Sequence, residues 1–138
     1  MKKVSETTVI LNFLEDSRID FVCDEHLQVE VPAGSWSGSK SRSIADIHGP
    51  QIPGIEAKGT FSEAVRDFRK VDKNNGIFHY IYASTGDAIF DENDYWRKVG
   101  VSACVYLTGQ EKWGMIGKKD GLFEKIIRKE LQFEIPGK

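Results

Sequence analysis

The segment from residue 77 to residue 84, IFHYIYAS, constrains the fold of this chain more than any other part of the sequence. It combines β-branched and aromatic residues, which favour strands, and it carries apolar side chains at both odd and even positions. Because successive side chains of a strand point to opposite faces of a sheet, both faces of this strand must be covered. We therefore predict a central strand with other elements packed on each side.

A helix is predicted shortly before this strand. Thr60 can cap its first turn, and Glu63, three residues later, completes a capping box. Apolar residues at helical spacing form one stripe, made of Phe61, Ala64, Val65, Phe68 and Val71. A helix with such a stripe, next to a strand that needs cover on both faces, is typical of an α/β fold.

Further elements are predicted on the N-terminal side of this unit. Ser5 can cap a first helix, although residues 7–14 also fit a strand; the buried face of that helix is Val9, Ile10, Phe13 and Leu14. Alternation over residues 19–23 and 27–31 predicts a hairpin, and the Gly- and Ser-rich residues 33–43 predict a loop. Two short strands, 43–47 and 54–58, follow, joined by the proline- and glycine-rich connection HGPQIPG.

The C-terminal third is predicted to complete the same sheet. Residues 85–96 are turn-rich, with one helical turn near Asp94 to Lys98. Strands are predicted over 99–107 and 112–117, and a closing helix over 120–131 points Leu122, Phe123, Ile126, Ile127 and Leu131 inward. The sequence as a whole predicts a single α/β domain with a mixed central β-sheet flanked by helices.

Composition limits the classes of function. A chain of 138 residues that is 40% hydrophobic and 29% charged fits one globular domain, and it contains no apolar run long enough to cross a bilayer, so we expect a cytoplasmic protein. A formal net charge of −2 argues against a surface coated in positive charge for general nucleic-acid binding. Cys23 and Cys104 are too few for a disulfide framework and are expected to be buried thiols.

Three charged residues, Asp46, Glu56 and Lys58, lie on the two short strands. Glu56 and Lys58 are two residues apart and therefore point from one face of a strand, and Asp46, near the end of the preceding strand, can lie beside them. Two carboxylates held together repel and lose hydration unless a divalent cation lies between them. Magnesium or manganese suits such oxygen ligands and lowers the pKa of a water that can attack phosphorus, while Lys58 can orient that water.

This arrangement resembles the PD-(D/E)XK superfamily of restriction-endonuclease-like nucleases. The resemblance covers about residues 41–83: SIADI and EAK, with nine residues between Asp46 and Glu56, then a helix and the strand 77–84. It implies a metal-dependent endonuclease or phosphodiesterase that hydrolyses DNA, with Asp46 and Glu56 as metal ligands and Lys58 as the catalytic lysine. Because one site addresses one phosphodiester bond, cleavage of both strands implies a homodimer.

The resemblance has one open position and one departure. Many members place a glutamate of the first helix near the metal, a role that either Glu6 or Glu15 can fill here. The proline that precedes the family's aspartate is Ala45 in this chain, which leaves D-x9-E-x-K as the core of the motif.

Basic side chains near the motif are candidates for contacts with DNA phosphates. On the predicted helix, four of them lie within about 100° of one another, opposite the apolar stripe: Arg66, Arg69, Lys70 and Lys73. Lys40 and Arg42 in the Gly/Ser loop are candidates of the same kind. The helical set also fits an ordinary solvated helix face.

Two other classes of function fit the same residues. If the three charges are solvated on edge strands, the chain is a non-enzymatic interaction module of the immunity, inhibitor or adaptor type. If the aromatic strands line a pocket, it is a small-molecule-binding α+β domain. Among the histidines, His79 is expected in the core, and His48, two residues after Asp46, is the better candidate to reach a phosphate.

Overall fold

A computed structural model describes residues 4–16, 28–29, 46–49, 52–70 and 79–126. Its elements in chain order are α1 (Glu6–Asp16), β1 (Gln28–Val29), β2 (Ile47–Gly49), β3 (Ile52–Ala57), α2 (Phe61–Lys70), β4 (His79–Ser84), α3 (Ile89–Val99), β5 (Ser102–Leu107), β6 (Lys112–Gly117) and α4 (Gly121–Ile126). In these ranges the longest helices are too short and too polar to span a lipid bilayer.

The strands form one six-stranded sheet in the order β1-β2-β3-β4-β5-β6. Neighbours pair antiparallel at both ends of the sheet, whereas β3, β4 and β5 are parallel to one another. Strand β4 lies between β3 and β5 and is buried along most of its length. The predicted mixed sheet, with residues 79–84 at its centre, is confirmed.

Alternate strand residues fill two separate cores, one on each face of the sheet. The first core packs against α1 and α4 and contains, among others, Val9, Ile10, Phe13, Leu14, Ile47, Ile55, Ile81, Cys104 and Phe123. The second packs against α2 and α3 and contains, among others, Ala64, Tyr80, Tyr82, Trp96, Ala103 and Val105. Helices therefore flank the sheet on both faces, as the two-sided apolar pattern of β4 predicts.

Capping residues place the starts of α1 and α2. The Ser5 hydroxyl accepts the backbone N–H of Thr8 at 3.1 Å, and the four apolar residues predicted for the first helix are buried, so the alternative strand is excluded. At α2, the Thr60 hydroxyl accepts the N–H of Glu63 at 3.2 Å, as predicted. The Glu63 carboxylate accepts the N–H of Gly59 at 3.3 Å, whereas a capping box predicts the N–H of Thr60 as its partner.

The prediction for residues 85–98 is wrong, because a helix, α3, spans Ile89–Val99 where turns and a single helical turn are expected. Acidic residues in its first turn and basic residues in its last turn complement the helix dipole. Gly100, with a φ of 77°, ends the helix in the left-handed conformation that glycine adopts without strain. Val99, predicted to begin the next strand, is instead the last residue of α3, and β5 begins at Ser102.

Several predictions fall partly or wholly outside the described ranges. These are the first arm of the hairpin (residues 19–23), the loop 33–43, Cys23, Val71, Ile127 and Leu131. Of the second hairpin arm, β1 is described, and it pairs antiparallel with β2. Cys104 is a buried free thiol and Phe123 is buried, as predicted.

Gly59 allows the start of α1 to approach the end of β3. A Cβ atom added to Gly59 would collide with the backbone carbonyl oxygen of Val4, and neither main-chain segment can rotate away. We expect Gly59→Ala to lower the free energy of unfolding by about 1–3 kcal/mol in urea titrations. Gly109→Ala is the matched control, because an added Cβ there meets nothing within 4 Å. Equal effects of the two substitutions would contradict this close approach.

Candidate active site

The pairing of β2 with β3 places Asp46 and Glu56 opposite each other. Ile47 pairs with Ile55 in antiparallel register, and both isoleucines point into the core beneath α1. Their neighbours Asp46 and Glu56 therefore point to the opposite face of the sheet, where α2 packs. The start of one strand and the end of the next thus bring two carboxyl groups together.

The strands are shifted from their predicted positions. The sequence pattern predicts Asp46 near the end of a strand over 43–47, whereas it directly precedes the first residue of β2. The predicted connection contributes residues to both strands, because β2 extends to Gly49 and β3 begins at Ile52. A register shift between Ile47 and Gly49 adds one residue to β3. Gly54 lies in this irregular stretch with a φ of 141°, a backbone conformation that glycine adopts readily.

Asp46 and Glu56 form a pair of neighbouring carboxyl groups. Asp46 Oδ2 accepts the backbone N–H of Ala57 at 2.8 Å. Burial raises the pKa of Asp46 to about 6, although the hydrogen bond from the Ala57 N–H acts to lower that pKa. Burial, reinforced by the negative charge of Asp46, raises the pKa of Glu56 to about 9. At neutral pH the pair therefore holds one proton, carried by Glu56.

Lys58 lies among three carboxyl groups. Its Nζ atom is 3.5 Å from Glu56 Oε2, 3.5 Å from Asp67 Oδ1 and 3.8 Å from Glu6 Oε2. Burial acts to lower the pKa of Lys58, but these three carboxyl groups outweigh it and raise that pKa above its ordinary value. The side chain is 17% exposed, so part of it remains accessible to solvent within the cluster.

The cluster carries more negative than positive groups. The carboxyl groups of Glu6, Glu56 and Asp67 lie within 4 Å of the Lys58 ammonium, and that of Asp46 neighbours Glu56, so these five groups carry a charge of −3 when all are ionised. A buried excess of negative charge favours binding of a cation. Such a cation would also remove the repulsion that keeps the Glu56 proton in place.

Sequence reasoning identified most of this cluster. The three motif residues converge. Of the two candidate glutamates on the first helix, Glu6 lies beside Lys58, whereas Glu15 is exposed on the last turn of α1. Asp67 was missed. The available signal was its position one helical turn after Glu63, next to the apolar stripe of α2.

A groove of about 550 Å³ opens beside Lys58, lined by the start of α1, by Lys58 itself and by α2. Arg66 lines it, and Arg66 and Arg69 are exposed on α2. Asp46 and Glu56 do not line this groove. Of the other predicted phosphate contacts, Lys70 ends α2, and Lys40, Arg42 and Lys73 lie outside the described residues.

His79 lies apart from the cluster. His79 is 3% exposed, and its ring contacts Phe123 with centroids 4.7 Å apart, so the expectation of a core residue is confirmed. Its Nε2 atom is 3.1 Å from Asp120 Oδ2, and burial lowers its pKa despite that carboxylate. His48 lies in β2, two residues after Asp46.

The donor set of the cluster fits a hard divalent cation that needs few protein ligands. In the part of the chain that the structure describes, no three His, Cys, Asp or Glu side chains are arranged to enclose a metal ion. Magnesium needs fewer protein ligands, because it keeps several waters and binds through one or two carboxylates and substrate phosphate oxygens. Asp46 and Glu56 supply such a pair of oxygen donors.

No protein-family model, curated protein or solved structure matches this chain. Function must therefore be inferred from the cluster itself.

Proposed function

We propose that this chain is a divalent-cation-dependent phosphodiesterase that hydrolyses DNA, with Asp46, Glu56 and Lys58 as its active site. The observation that carries the proposal is the pairing of β2 with β3, which sets the Asp46 and Glu56 carboxyl groups side by side with an ammonium group 3.5 Å from Glu56 Oε2. The two carboxyl groups and the lysine come from adjoining ends of β2 and β3, and only a fold that pairs these ends would bring them together.

Asp46 and Glu56 would hold magnesium or manganese. Burial raises the pKa of both carboxyl groups, and the charge of Asp46 raises that of Glu56 further, so a dication would favour loss of the Glu56 proton. The ion would supply Lewis acidity and a water of lowered pKa. The Ala57 N–H holds Asp46 in place through one carboxylate oxygen and leaves the other for the ion.

Lys58 would act on the water or on the phosphate. Its three carboxyl neighbours keep it protonated, so it can donate a hydrogen bond to the attacking water or to a phosphate oxygen that gains negative charge. The side chain of Lys58 lines the groove, where a substrate can enter. Because the ammonium group is already fixed by ion pairs, little reorganisation is needed at the moment of reaction.

Two features support DNA as the substrate. The order of α1, antiparallel β2 and β3, α2 and parallel β4 agrees with the order on which the resemblance to PD-(D/E)XK nucleases rests. Arg66 and Arg69 are exposed on the helix that borders the groove, where they can contact phosphates that flank the scissile bond. Because the proposed site addresses one phosphodiester bond, cutting both strands would require a homodimer or two successive encounters.

The proposal is tested by incubating the purified protein with supercoiled plasmid. We expect nicked circles to form with magnesium or manganese and to be absent with EDTA, because both proposed ligands are carboxylates. Nicked circles should precede linear product if each encounter cuts one strand. Asp46→Asn, purified in parallel, detects a contaminating nuclease. Plasmid that stays supercoiled with both metals would contradict the proposed activity.

A further inference from the structure

Asp67, on α2, connects Lys58 to the interior of the protein. One of its carboxylate oxygens, Oδ1, is 3.5 Å from Lys58 Nζ, and the other, Oδ2, accepts a hydrogen bond from the Tyr80 hydroxyl at 3.1 Å. Each oxygen thus has its own partner. The side chain of Asp67 is 22% exposed and forms part of the groove wall, and its hydrogen bond from the Tyr80 hydroxyl holds it on the protein side.

Tyr80 is a rigid support for this carboxylate. It is 2% exposed and pairs in register with Glu56 on the neighbouring strand. Its ring stacks on Trp96, with centroids 5.1 Å apart and an interplanar angle of 25°. Burial, together with the nearby Asp67, raises the pKa of the Tyr80 hydroxyl well above its ordinary value, so that group remains a hydrogen-bond donor.

Lys58 needs an anchor that does not depend on the carboxyl pair. A lysine side chain has many rotamers, and a mobile ammonium group is a poor stabiliser of developing charge. Glu56 is itself a proposed metal ligand, and Glu6 is 3.8 Å away with its side chain 32% exposed. Asp67 contacts Lys58 from α2, and its other oxygen is fixed by Tyr80.

We propose that Asp67, held by the Tyr80 hydroxyl, is a positioning residue that fixes the Lys58 ammonium at the edge of the groove. This inference rests on the proposed function for its catalytic consequence. Asp67 acts through Lys58 and does not itself touch the reacting atoms. The substrate contact therefore remains with Lys58, and the orientation of that contact is set by α2 and β4.

Kinetics test the catalytic consequence. Asp67→Asn keeps the shape of the side chain and is expected to lower kcat for plasmid nicking roughly tenfold, with KM unchanged, because orientation and not binding is lost. Tyr80→Phe should cause a smaller fall in kcat. The double variant Asp67→Asn/Lys58→Ala should be no slower than Lys58→Ala alone, because Asp67 acts through the lysine. The matched control is Asp94→Asn, which removes an exposed carboxylate paired with Lys98 at 3.2 Å.

A measurement on the protein without metal or DNA separates this inference from the proposed function. NMR relaxation of the Lys58 side-chain ¹³Cε should show greater disorder in Asp67→Asn than in the wild type, with the exposed Lys98 as internal reference. Equal order of Lys58 in both proteins, or additive losses of kcat in the double variant, would overturn the positioning role even if the wild type nicks DNA. If the wild type nicks no DNA but Lys58 loses order in the variant, the contact is confirmed and its catalytic role is rejected together with the activity.

Discussion

Lys58→Ala is expected to slow metal-dependent nicking of plasmid DNA by about 10²- to 10³-fold, the usual loss when one preorganised donor is removed from a transition state. The structure gives this residue no substitute among the described side chains of the cluster, since its neighbours there are carboxyl groups. The loss should appear in kcat, because Lys58 acts on charge that develops during the reaction. Initial rates of nicking at saturating plasmid measure it.

Two further variants make this result interpretable. Removing Lys58 leaves several carboxyl groups without their cation, so circular dichroism must first show that the variant is folded. Lys58→Arg keeps the positive charge but spreads it over a larger, planar group, and it should fold normally and still lose at least tenfold in rate. Lys98→Ala, which removes a 75% exposed lysine of α3, should nick as the wild type does. Unchanged nicking by folded Lys58→Ala would exclude it from the active site.

The convergence of Asp46, Glu56 and Lys58 could be predicted because it depends on local rules. A period of two places Glu56 and Lys58 on one face, and a short connection makes β2 and β3 neighbours. The exact register could not be predicted, since the irregularity around Gly54 shifts β3 by one residue relative to β2. The carboxyl pair still forms, because it depends on the pairing of Ile47 with Ile55.

Asp67 and Tyr80 could not be assigned to the site from sequence. Their contact depends on how α2 packs across β4, and the apolar stripe of α2 shows only that it packs on something. Helix α3 was missed for a related reason. Two of its residues contact the Tyr82 hydroxyl: the indole N–H of Trp96 donates to it at 3.1 Å, and Glu92 accepts from it at 3.1 Å. These are tertiary contacts that no local pattern reveals.

Without metal, the protein should become less stable as pH rises from 7 to 9. The pKa of Glu56 is about 9 in the folded protein and 4.5 for an ordinary glutamate, so the folded state keeps a proton that the unfolded chain has released. The stabilisation that protonated Glu56 provides is fully present below pH 4.5 and is lost progressively as the pH rises from 4.5 through 9. The largest slope is about 1.4 kcal/mol per pH unit, which predicts a loss of roughly 2 kcal/mol between pH 7 and 8.5. Urea unfolding at fixed ionic strength measures it. Asp46, with a pKa of about 6, contributes little in this range.

Glu56→Gln tests both the proton and the cation. Glutamine cannot ionise, so the pH slope should flatten, and the stability of the variant relative to the wild type should increase by roughly 2 kcal/mol between pH 7 and pH 8.5. Millimolar magnesium or manganese should raise the melting temperature of the wild type at this pH and not that of the variant, because a ligand stabilises only the state that binds it. Glu15→Gln, at an exposed position of α1, should follow the wild type in both respects. Equal slopes in the wild type and Glu56→Gln would show that Glu56 is not the buried proton carrier, and would remove the reason to place a cation at this pair.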